Sequence, residues 1–123
     1  KAHIVASVGE VIGPVAFSTL AATPAWLAKP EAAGFLRAYR EARSWVNSTA
    51  PDEVAAAEQS FFPAIRREAL ARSIAYYQQL GCWSGNLEIP RNEYETILDV
   101  FMHSQLITRR HPYERVISPL PRI

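Results

Sequence analysis

The sequence predicts an α/β chain, with two strands followed by about five mostly long helices. Three observations predict it. From Ala2 to Ala28 the chain is largely apolar, and Glu10 is its only formally charged side chain. After Thr23, apolar residues recur at steps of three and four, the spacing of one helix face. Prolines, hydroxyl residues and glycines punctuate that second part where helices start and stop.

His3 to Val8 reads as a strand. Gly9 to Pro14 holds two glycines and a proline, which is loop chemistry. Val15 to Thr23 reads as a second strand, apolar on both faces and so predicted inside a sheet covered on both sides. Two such strands are unstable alone, because their edges and faces need partners. Thr23-Pro24 then starts a short helix to Ala28, with a hydroxyl cap and proline at the first helical position. The next helix runs from about Glu31 to Asn47, with Phe35, Leu36, Tyr39, Ala42 and Val46 on one face and Arg37, Arg40, Glu41 and Arg43 mostly off it. Thr49 and Asp52 resemble a capping box for a helix over Asp52 to Ser60 that stops before Pro63. Arg66 to Leu80 carries the stripe Leu70, Ile74 and Tyr77, and Gly81 supplies a left-handed cap. A loop over Gly81 to Pro90 leads to a last helix, about Asn92 to Gln105, with Tyr94, Ile97, Leu98 and Phe101 inward. From Thr108 the tail holds prolines and reads as extended, with Tyr113, Val116 and Ile117 able to dock on a core.

The 123 residues fit one domain, and 49% hydrophobic with 20% charged residues is a globular composition. A formal net charge of +1 makes no case for nucleic-acid binding, and Arg109-Arg110-His111 reads as a solvated patch. A single cysteine, Cys82, excludes an intrachain disulfide. Val11 to Ala28 is a run of 18 uncharged residues, near the lower limit for a spanning helix. Its Pro14, Pro24, Ser18, Thr19 and Thr23, and its many alanines, argue against one despite Gly9 and Gly13 in G-x-x-x-G spacing. The chain opens on Lys1, with no polar region before the apolar run. The expectation is therefore the middle or end of a longer protein, whose targeting signal could lie in the part before Lys1, and not a signal peptide.

The sequence contains no nucleophile elbow, no dinucleotide fingerprint and no phosphate-gripping loop. His3, His103 and His111 are far apart, and none has a second His or Cys at ligand spacing, so no metal and no cofactor is expected. Cys82, beside Trp83, has no nameable partner base and reads as an idle or packed thiol. Trp26, Trp45, Tyr76, Tyr77, Trp83, Phe61 and Phe62 read as core packing, with one of Tyr76 and Tyr77 partly exposed. Glu10 is the best candidate for a site. It reads either as a solvated carboxylate at a strand end or as a carboxylate at a cleft rim accepting hydrogen bonds from a ligand. Gly9 and Gly13 would allow close backbone approach there.

The order of segments resembles a known family. "VASVGEVIGPVAFSTLAATPAWLAKPEAAGFLRAYREARSWV" is similar to the C-terminal portion of ABC-transporter periplasmic substrate-binding proteins. The subgroup is that of the nitrate, sulfonate and taurine binders and the thiamine-pyrimidine-precursor binders. The likeness continues through an acidic-alanine helix, the Phe61-Phe62-Pro63 stop, a "Y-x-x-x-G-x-W" loop, a late "Y-x-x-x-L-D" helix and "HPYERVI". It covers nearly the whole chain. Each motif is weakly specific, and their order and spacing together are more so.

The resemblance implies a class II periplasmic-binding-protein fold of which this chain is only the C-terminal part. Residues 1–23 would be strands near the hinge, 24–107 a helical layer and 108–123 an extended tail. It implies a non-enzymatic solute-binding component of an ABC importer, periplasmic or extracellular, free or lipid-anchored. Such a component captures a small organic anion or heteroaromatic compound between two lobes and docks on the ABC permease. Glu10 would face the cleft, with Ser7 and Phe17 as further candidate ligand contacts. Residues 3–23 would be covered by the remainder of the fold or by a second copy. The cysteine-rich motif of the related pyrimidine synthases is absent. A pyrimidine-precursor enzyme of the same fold and a free-standing helical interaction or dimerisation module are the alternatives.

Overall fold

A computed structural model describes residue 3 and residues 5–121. Regular structure among them is helical throughout. The helices are α1 (Val8–Ile12), α2 (Pro24–Leu27), α3 (Pro30–Ser48), α4 (Pro51–Glu58), α5 (Arg67–Gln79), α6 (Arg91–His103) and α7 (Tyr113–Val116). A 3-10 turn, Gln59–Phe61, follows α4.

The predicted α/β class is therefore corrected: no strand forms among the described residues. Ile4 of the expected strand His3–Val8 lies outside the described residues. The part from Val5 to Ser7 is irregular, and Val8 already opens α1, which also replaces most of the expected Gly9–Pro14 loop. Val15–Thr23 is irregular too. The physical reason is the absence of a ladder. A strand exists through rows of backbone bonds to a neighbour. Here Phe17 N–H reaches only Val15 C=O two residues back, at 2.9 Å, and Ala16 N–H makes one long bond of 3.4 Å to the Glu93 carbonyl. Apolar composition marked this stretch as one that favours burial, but it does not by itself supply the partner strand.

Proline sets most of the helix starts. Pro24, Pro30 and Pro51 occupy the first turns of α2, α3 and α4, where a missing N–H costs nothing. Pro90 and Pro112 stand at the N-cap positions of α6 and α7. Thr23 caps α2 as expected, its hydroxyl oxygen accepting from Trp26 N–H at 3.2 Å. The Thr49–Asp52 capping box does not form. Ala50 is the N-cap of α4, held extended (ψ 136°) because the proline ring after it disfavours the helical region. Gly81 ends α5 with φ +70°. Its N–H bonds the Gln78 carbonyl and Cys82 N–H bonds the Tyr77 carbonyl, both at 3.0 Å, which is the Schellman arrangement.

The chain divides into two compact units, each described separately. The unit Lys29–Asn86 packs α4 on α5 around Val54, Ala55, Leu70, Ala71 and Ile74, with Val46 of α3 and Trp83 laid against them. Tyr77, expected on the inward stripe, is half exposed, and its ring meets Trp83 edge-on at 5.7 Å. The other unit is built from the segment up to Ala28 and the segment from Leu87 on. Tyr94, Ile97 and Leu98 of α6 are buried, as their spacing predicts. The tail from Thr108, expected to be extended, includes the short helix α7.

The apolar opening segment was expected to be hidden, and in this structure it is not. No described residue between 3 and 23 is buried. Val5 is 96% exposed, Val11 80%, Phe17 72% and Leu20 60%. Phe61, Phe62 and Trp45, expected in a core, are exposed as well. Among the described residues, no helix is long and apolar enough to cross a membrane.

Candidate functional site

The three sequence-predicted site residues lie on or near α1. Ser7 is its N-cap residue with extended backbone (ψ 125°), but its side chain makes no capping bond. Glu10 stands in the first turn, where partial positive charge on the free amides favours a carboxylate. A five-residue helix gives that effect little length to build on. Phe17 follows Gly13, whose φ of +81° turns the chain away from α1 in a conformation that favours glycine. Ser7 and Glu10 share one turn at i,i+3 spacing, so the structure brings these two near each other. Ser7 is half-buried, and Glu10 and Phe17 are exposed.

This arrangement can accept hydrogen bonds and offer an apolar contact. Glu10 is the only formally charged residue between Ala2 and Ala28, and Val8, Val11, Ile12 and Phe17 in the same segment are exposed. No hydrogen bond or ion pair joins Glu10 to another described residue. No group of three His, Cys, Asp or Glu side chains that could hold a metal occurs among the described residues. Cys82 is exposed in the loop after α5.

The most ordered polar geometry lies at residues that sequence reasoning passed over. Arg43 of α3 donates from both terminal guanidinium nitrogens to loop carbonyls, to Ser84 at 2.7 Å and to Asn86 at 3.1 Å. Its guanidinium also sits 5.9 Å from the Tyr39 ring centre. Gln78 of α5 donates to the carbonyls of Val46 (2.6 Å) and Thr49 (2.9 Å), pinning the end of α3. Gln59 donates to Phe62 at 3.0 Å and Ile65 at 2.9 Å, fixing the turn between α4 and α5, while its own carbonyl oxygen is buried without a partner. A signal for Arg43 was available. Sequence reasoning groups it with the residues mostly off the apolar face, yet it falls four residues after Tyr39 and three before Val46, next to the inward stripe, where a long cation needs acceptors.

A second polar cluster straps the tail to α6. Arg110 pairs with Glu95 at 2.9 Å and with Asp99, two carboxylates one helical turn apart. Arg91 pairs with Glu114 and lies 4.5 Å from the Tyr113 ring centre. The Glu114 carboxyl is held below the usual range first by its own backbone N–H and then by the Arg91 hydrogen bond. Burial, and secondarily the Glu95 charge, pushes the Tyr94 phenol up. Tyr113 donates its hydroxyl to the Ile89 carbonyl, and the Tyr94 and Tyr113 rings meet edge-on at 5.6 Å. These contacts explain how the tail is held in place. They involve none of Ser7, Glu10 and Phe17.

Comparison with known proteins supplies one relative. Over 118 residues, 94% of this chain, the sequence is 26% identical to the Bacillus subtilis (strain 168) protein named "Putative binding protein YtlA". The chain spans about a third of that protein's length, 35%. No known family's sequence profile matches the chain, and no solved structure matches it.

Proposed function

We propose that this chain belongs to the solute-binding component of an ABC importer. That component captures a small organic anion or heteroaromatic compound between two lobes and delivers it to the permease without chemical change. The observation that carries this reading is the similarity to a Bacillus subtilis protein named as a binding protein, running almost end to end through this chain. The motif order from Pro30-Glu31 to His111-Pro112-Tyr113 supports the importer assignment. On this reading the protein works outside the cytoplasmic membrane, in the periplasm or extracellularly, free or lipid-anchored. Glu10, Ser7 and Phe17 contribute ligand contacts, and the exposed residues between 5 and 20 are covered by further polypeptide of the same binding protein.

Small-angle scattering on the protein that carries this chain tests the reading. A fall in radius of gyration on adding taurine or an aminopyrimidine supports it, because lobe closure compacts the molecule. No change in radius and no heat of binding with either compound would count against it.

A helical interaction module is the second reading, favoured by one specific observation. All regular structure among the described residues is helical, and Val5, Val8, Val11, Phe17 and Leu20 stand exposed on one short segment. Several large apolar side chains exposed along one short segment are a common mark of an interaction surface. In this reading a second copy covers the segment. Sedimentation of the 123-residue chain separates the two, since only the module reading requires a defined dimer of this chain by itself.

A further inference from the structure

We draw no further inference here: the strongest candidate, the exposed apolar turn of Phe61, Phe62 and Ile65 that the Gln59 side chain holds fixed between α4 and α5, is a surface for which nothing in the structure shows what covers it.

Discussion

Tyr94 donates its phenolic hydrogen bond to the backbone carbonyl of His111 at 2.8 Å, joining the buried face of α6 to the segment that leads into α7. The ring is buried and the hydroxyl has a partner, as a buried tyrosine requires. Tyr94→Phe keeps the ring and leaves the His111 carbonyl without its donor. The expected loss is about 1 kcal/mol of unfolding free energy, read from urea denaturation. Tyr94→Ala also removes the ring and should cost about 3–5 kcal/mol. Equal losses for the two variants would mean that packing contributes nothing at this position.

Two ionisable groups in this cluster give opposite pH dependences. The Tyr94 phenol is raised in the folded state, so the folded chain holds its proton longer than the unfolded one. Stability from this group is complete below the unfolded value of about 10 and is lost as pH rises through the folded value. Glu114 is lowered, so its contribution is complete above the unfolded carboxylate value of about 4.3 and fades as pH falls through the folded value. Tyr94→Phe should flatten the alkaline limb of a melting-temperature profile, and Glu114→Gln the acidic limb. Because Glu114 is exposed, its effect is expected to be small and weakened by salt. A Glu114→Gln profile that still bends as wild type does at acid pH would remove the Arg91 pair from the account.

The core of the Lys29–Asn86 unit makes a contrast between two apolar residues of that unit. Ile74 is 3% exposed among Val54, Leu70 and Ala71, and Phe61 is 78% exposed. Ile74→Ala should cost about 2–5 kcal/mol, because it removes buried methyl groups and leaves a cavity. Phe61→Ser should change stability by no more than about 0.5 kcal/mol. Calorimetry of the two variants checks the pair, and a large loss at Phe61 would show that its ring is covered in solution.

Arg43 offers a test of geometry against charge. Its fork reaches two carbonyls of the loop after α5, and both oxygens are neutral, so the planar spread of donors is what matters. Arg43→Lys keeps the charge but has a single nitrogen to offer. It is expected to lose about 1 kcal/mol, nearly as much as Arg43→Ala, and to speed amide exchange around Ser84 and Asn86. Full rescue by lysine would point to a purely electrostatic role.

How much of this was legible follows from where each signal resides. The start of α2 was readable because proline acts locally, through its own ring and missing N–H, at Pro24, while the place of Pro30, Pro51, Pro90 and Pro112 at other helix starts was passed over. The α5 end was readable because the need for a left-handed residue at Gly81 is also local. The inward faces of α5 and α6 followed from spacing, apart from Phe101, which is only partly buried, and Tyr77, whose ring packs edge-on to Trp83 while staying half exposed. The two strands read into residues 3–23 do not form among the described residues, because a strand depends on a neighbour that no local pattern encodes. Ser7 and Glu10 could be placed in one turn from their spacing, but what faces them is a non-local property. The forks of Arg43, Gln59 and Gln78 were missed for a related reason: each acceptor is a main-chain carbonyl, which every residue type carries.

The exposed segment between Val5 and Leu20 makes the last prediction. Phe17 and Leu20 are mostly exposed, and the Ala16 N–H to Glu93 carbonyl bond is a long one, so little of the fold depends on these two side chains. Phe17→Asp with Leu20→Asp should therefore leave the helical content and the Ile74 core intact, with stability changed by about 0.5 kcal/mol or less. On the interaction-module reading, the same pair should sharply reduce self-association of the chain, because each burial in a partner surface that it prevents is worth about 1.5–3 kcal/mol. Sedimentation velocity of wild type and variant, at matched concentration and salt, reads the second effect, and circular dichroism reads the first. If the variant unfolds, the segment is part of the core of its own unit. If wild type and variant both sediment as monomers, these side chains do not drive association of the chain with itself, and the case for a second copy as their cover fails.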